Sequence, residues 1–125
     1  MAIAKPPLTI EKIKSCLNML EYYRLTDIIS YEKIKQYQSK DSQYVAFCKR
    51  HIAANAVHRN NVLKLLDYCE TDFDRDLLRR RYVDRQDYYD IAYDLAYSES
   101  GIFKMYKKAL EKLSENTKNM QEFEY

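Results

Sequence analysis

The chain has 125 residues, 46% of them apolar, and sets 21 Lys and Arg against 19 Asp and Glu for a net charge of +2. That length buries roughly two-thirds of the surface an unfolded chain exposes, enough for one domain without disulfide staples. With a single glycine, Gly101, neither a G-x-x-x-x-G-K-[ST] nor a G-x-G-x-x-G loop can be written, which excludes nucleotide hydrolysis and dinucleotide chemistry of those kinds.

One Gly and two Pro also argue for helices joined by short turns, because sheet proteins of this size carry regular turn residues; the expected fold is all-α. Cys16, Cys48 and Cys69 are odd in number and lack C-x-x-C pairing, which fits a reducing cytoplasm. No apolar run approaches the roughly 18 residues of a membrane helix, and the segment 1–8 holds Pro6 and Pro7 where a signal peptide would have its apolar core. The expected protein is cytoplasmic and has no membrane partner.

In chain order, Thr9 is suited to cap a first amphipathic helix, in which Ile10, Ile13, Leu17 and Leu20 recur at helical spacing. That stripe fits either an intramolecular bundle or the seam of a homodimer formed through N-terminal helices. Ile28, Tyr31 and Ile34 extend the pattern, with Thr26 and Ser30 leaving open a break or a continuous helix. The polar cluster 38–43 reads as a loop. Val45, Cys48, Ile52, Ala56, Leu63 and Leu66 then support one long helix or two shorter ones, His58 to Asn61 being the favoured interruption. Residues 1–70 thus form an N-terminal helical region with 11 basic and 7 acidic residues, a net +4, whereas 71–125 hold 10 and 12, a net −2.

The second half is more explicit. Thr71 with Asp74 has capping-box spacing and opens a helix whose Leu77, Leu78 and Tyr82 face inward. Asp87 with Asp90 opens another, in which Tyr88, Ile91, Ala92 and Leu95 make one apolar stripe and Asp87, Asp90 and Asp94 a neighbouring acidic one. Ala96 and Tyr97 turn the chain, and Ser98 caps a third helix from Glu99 to about Leu113. On it Ile102, Tyr106, Ala109 and Leu113 fall together, edged by Leu110 and Phe103, while Ser100, Lys104, Lys107 and Lys108 fall on the opposite side. A small hydroxyl residue followed by three lysines is what a recognition helix offers to a major groove and its phosphates. Gly101, costing roughly 1 kcal/mol against Ala inside a helix, implies a close backbone approach there, for which a phosphate or base edge is one candidate. The segment 71–114 is expected to be the DNA-binding unit and 115–125 a loosely specified tail.

The run Asp74-Arg75-Asp76-Leu77-Leu78-Arg79-Arg80-Arg81-Tyr82, then Tyr88-Tyr89-Asp90-Ile91-Ala92 and Leu95, then Ser98 and Lys107-Lys108-Ala109-Leu110-Glu111-Lys112-Leu113, resembles region 4 of sigma-70-type factors over about 40 residues. Among small proteins it is similar to phage late-gene transcription regulators of the ArpU and RinA type, in which a Ser-x-x-x-Phe stretch precedes the basic recognition helix; here Ser98 to Phe103 is one residue longer. The resemblance implies a duplex-DNA-binding activator in the bacterial host cytoplasm, with no enzyme activity and no cofactor. Carried over by position, its contact surface is Ser98, Ser100, Gly101, Lys104, Lys107 and Lys108, with Arg79 and Arg81 as contacts to DNA backbone or RNA polymerase. The chain departs from the pattern where Arg80 replaces an apolar residue, Arg85 and Gln86 a frequent glycine and hydrophobe, and Ala96 the usual turn glycine. Two other roles fit the same module: a small terminase subunit in genome packaging, and an anti-sigma or antirepressor protein that binds protein in place of DNA.

Other constellations are weaker. Cys48-x-x-His51 has ligand-like spacing but no second close pair to complete a zinc site, so no metal is expected. No acid pair or triad has flanking residues that would fix its geometry. Of the 13 tyrosines, Tyr82, Tyr88, Tyr97 and Tyr106 are expected on inner faces, whereas Tyr89 and Tyr93 point outward, to contact either phosphate or an N-terminal helix, cover by that helix being the favoured choice.

Overall fold

The computed structural model describes residues 8–117. The described residues are all-α, in the order α1 (Ile10–Tyr37), α2 (Ser42–Leu63), a 3₁₀ turn (Lys64–Tyr68), α3 (Asp72–Tyr82), α4 (Tyr88–Leu95) and α5 (Glu99–Asn116). The four predicted caps form. Thr9 accepts from the Lys12 amide at 3.1 Å, Thr71 from Asp74 at 3.1 Å, Asp87 from Asp90 at 2.8 Å and Ser98 from Gly101 at 3.0 Å, each satisfying an otherwise orphaned helix donor.

α1 does not break at Thr26 or Ser30; it runs on for about 42 Å at 1.5 Å per residue. The Thr26 hydroxyl donates to the Tyr22 carbonyl at 2.9 Å and accepts the Asn55 amide at 2.8 Å, so a residue that weakens an isolated helix is held by its neighbour. Asn55 also donates to Asp27 at 2.8 Å, and Asp27 pairs with Arg59, fixing the α1–α2 register through one partly buried polar network centred on the buried Asn55. α2 likewise passes through His58–Asn61 and gives way to the 3₁₀ turn only at Lys64. Its start lies inside the segment read as a loop, with Asp41 accepting from the Tyr44 amide at 3.0 Å.

One core spans both halves. Ile13, Leu17, Leu65, Leu66, Leu77, Leu78, Ile91, Ile102, Leu110 and Leu113 are buried together, and α1 packs on α3 and α5 as well as on α2. The Ile13–Leu17–Leu20 stripe is therefore the intramolecular one, its side chains already covered within a single chain. The expected tail boundary also moves: α5 continues to Asn116, whose side-chain amide donates to the Tyr68 carbonyl at 2.9 Å, and Thr117 accepts from the Leu8 amide at 2.9 Å. Residues 115–117 belong to the fold, and the rest of that segment, 118–125, lies outside the described residues.

Two of the departures from the sigma-like pattern have a direct structural reading. Arg85 and Ala96 both adopt φ of 59°, the left-handed conformation that glycine occupies without strain. Arg85 is held there by Glu21 at 3.4 Å; Ala96 ends α4, and the Tyr97 amide donates back to the Ala92 carbonyl at 2.9 Å. A left-handed Cβ costs about 1–2 kcal/mol, and the added freedom of an unfolded glycine cancels about 0.4–1 kcal/mol of any relief. Ala96→Gly is therefore expected to raise stability by about 0.5 kcal/mol, read as a small upward shift of the urea midpoint.

Candidate nucleic-acid interface

The candidate surface is built by α4, the three-residue turn Ala96–Ser98 and α5. Ile91 and Ala92 of α4 and Ile102, Tyr106, Ala109, Leu110 and Leu113 of α5 are buried, fixing which side of α5 faces outward. Ser98, Ser100, Lys104, Lys107 and Lys108 lie on the exposed side. Lys104 and Lys108 form no ion pair with a described residue, and the Lys107 ammonium rests over the Phe103 ring at 5.1 Å. Lys112, further along, reaches Glu70 at 3.9 Å.

Gly101 lies beside the atom that caps its helix. A Cβ built there would lie 2.9 Å from Ser98 Oγ, the atom that caps α5. That atom is the far end of a single serine side chain, and the caps at Thr9, Thr71 and Asp87 form with Lys12, Asp74 and Asp90 at the same position, so the cap alone does not demand glycine there. Ser98 is correspondingly committed to the Gly101 amide, with the Ser100 hydroxyl 3.4 Å from it.

The preceding arginines divide. Arg79 is exposed, whereas Arg81 donates to the Gln86 carbonyl at 3.2 Å and lies 4.8 Å from the Tyr88 ring, bracing the α3–α4 connection. Arg80, standing where an apolar residue is common, bridges two helices: it binds Asp76 at 2.9 Å and Asp94 at 3.3 Å. Asp94 also accepts from Gln86 at 3.1 Å, so this part of the acidic stripe is turned toward α3. Asp90 remains exposed, and the neighbouring Asp87 carboxylate pushes its carboxyl above the ordinary aspartate range.

An aromatic cluster stiffens the module. The Tyr82 and Tyr106 hydroxyls share a short hydrogen bond, Tyr88 meets Tyr106 edge-on at 5.3 Å, and Phe103 meets Tyr88 at 5.4 Å. Burial pushes both the Tyr82 and the Tyr106 phenol above the usual tyrosine range. Tyr106→Phe strands the Tyr82 hydroxyl and is expected to cost 1–2 kcal/mol in urea unfolding, by roughly the penalty of a buried unpaired group, while Tyr82→Phe with Tyr106→Phe costs less than the single change. The folded chain keeps these phenols neutral above the pH at which unfolded tyrosines ionise. Their contribution is therefore complete below about pH 10 and lost as the pH rises further, and the double variant blunts that alkaline loss.

Three aromatic expectations are corrected. Tyr97 is half-exposed, touching Phe73 edge-on at 6.0 Å. Tyr89 and Tyr93 are 65% and 80% exposed, and no N-terminal helix among the described residues covers them. α1 is occupied instead by α2, α3 and α5. His58 stacks on Tyr23 at 6.1 Å, and no cluster of three potential metal ligands occurs among the described residues. No described helix is long and apolar enough to cross a membrane. No protein-family model, curated protein or solved structure matches the chain, so its role is read from its own residues.

Proposed function

We propose that this chain is a sequence-specific duplex-DNA-binding regulator of transcription, of the phage or prophage late-gene kind, that lays α5 in a major groove. The observation carrying the reading is the two-sidedness of α5: Ile102, Tyr106, Ala109 and Leu113 anchor it in the core, while Ser100, Lys104, Lys107 and Lys108 are left outward. The lysines neutralise phosphates and fix register, and the side chains of the first two turns read base edges. The sigma-region-4 likeness supports the same placement and makes RNA polymerase the protein partner, reached in part through Arg79. Incubating the protein with a random duplex pool and sequencing the retained fragments tests this: a shared motif is expected, and retention without any common sequence overturns it.

A second reading, a module that binds protein in place of DNA, draws on a separate observation. Leu25, Ile28, Ile29 and Phe47 on α1 and α2 are exposed, as are Tyr89 and Tyr93 on α4, more apolar surface than a monomeric helical domain needs. In the DNA-binding reading these side chains serve a second copy of the chain or the polymerase.

A further inference from the structure

We infer that the notch bounded by Tyr88, Glu99, Ser100 and Phe103 receives the C5-methyl group of a thymine, making Phe103 a base-discriminating residue; this rests on the duplex-DNA reading above. Phe103 is the anomaly on the outward side of α5. It lies between Ser100 and Lys107, one turn from each, yet is apolar and 42% exposed.

Its ring is held from behind. Tyr88 meets it edge-on at 88°, Tyr106 lies 6.4 Å away at 29°, and the Lys107 ammonium sits over it. A ring fixed in this way contacts a ligand without first losing rotamer freedom. The duplex itself limits what that ligand can be. Along the major groove the base edges present acceptors and amino donors, and their one apolar group is the thymine methyl.

The charges around the notch point the same way. Glu99 stands at its rim and offsets the Lys107 ammonium over Phe103, so the notch itself has no strong pull on a phosphate, while Lys104 and Lys108 lie on the neighbouring turns, where phosphates are attracted. Ser100 supplies the complementary polar contact. Thymine O4 is adjacent to the methyl group, and a serine hydroxyl beside the aromatic ring donates to it while the methyl meets Phe103. Cytosine lacks the methyl; the Ser100 hydroxyl can accept from the cytosine amino group as readily as it donates to thymine O4, so the discrimination rests on Phe103.

The test uses the full chain and the duplex motif recovered from the random pool, with each thymine replaced in turn by deoxyuridine, which removes only the methyl. One position is expected to weaken binding by the native chain about fourfold, the equivalent of one methyl group left unburied. At that position Phe103→Ala is expected to bind the thymine and uracil duplexes equally, and Phe103→Leu to keep part of the preference. Circular dichroism establishes that both variants are folded. Equal binding by the native chain at every substituted position overturns the inference while leaving the DNA reading intact. Recovery of no motif overturns that reading and this one with it. A preference for 5-methylcytosine over thymine at the same position reassigns the methyl to cytosine and overturns the thymine assignment.

Discussion

Replacing Lys104 and Lys107 together by Ala is expected to weaken binding to the recovered duplex roughly 30-fold at about 0.1 M salt and to flatten the logarithmic salt dependence by about two. Each exposed lysine that meets a phosphate releases about one counterion, so two lost contacts remove about 1.8 from that slope. The fold is not expected to change, because both side chains are exposed on α5, neither forms an ion pair with a described residue, and Lys107 gives up only a surface contact with the Phe103 ring. Thermal melting of the variant should therefore match the native chain within about 0.5 kcal/mol. Arg81→Ala behaves differently: it removes the bond to the Gln86 carbonyl and the contact with the Tyr88 ring, and so lowers stability along with binding. A native affinity and salt slope in the double lysine variant would remove α5 from the interface.

The parts of the structure that could be read from the sequence are those decided within one or two helical turns. The caps at Thr9, Thr71, Asp87 and Ser98 are local events between a side-chain oxygen and an amide three residues on, and each forms where its spacing puts it. The apolar stripes of α4 and α5 are similarly local, and they set the lysine side. What was not legible depends on distant partners. Thr26 leaves a break or a continuous helix equally open until Asn55, 29 residues away, bonds its hydroxyl. The polar run His58–Asn61 reads as an interruption because nothing in it announces that its own Arg59 pairs with Asp27. Tyr89 and Tyr93 were given a cover that α1, committed elsewhere, does not provide.

The division into an N-terminal region and a C-terminal unit proposed to bind DNA is a statement about chemistry, and Leu17→Ala tests whether it is also one about folding. Leu17 is fully buried on α1 and belongs to a core shared with Leu77, Leu78, Ile91, Ile102 and Leu110 from α3, α4 and α5. Truncation leaves a cavity among rigid helices and is expected to cost about 3–4 kcal/mol, a large part of the roughly 5–15 kcal/mol that holds a small domain. Because the cavity opens between the halves, amide exchange should accelerate by a similar factor at Ile91, Ile102 and Leu110 and at residues 13–20. Two independent units would answer otherwise, with faster exchange confined to α1 and α2 and with α3–α5 retaining native protection. Coupling has a functional consequence as well. α5 can hold its lysines and Phe103 at fixed positions only while α1 backs the core beneath it, so Leu17→Ala should bind the recovered duplex more weakly as the temperature approaches its lowered melting point. A fall in affinity that follows the folded fraction measured by circular dichroism would show that the long first helix serves the interface by supporting the core under it.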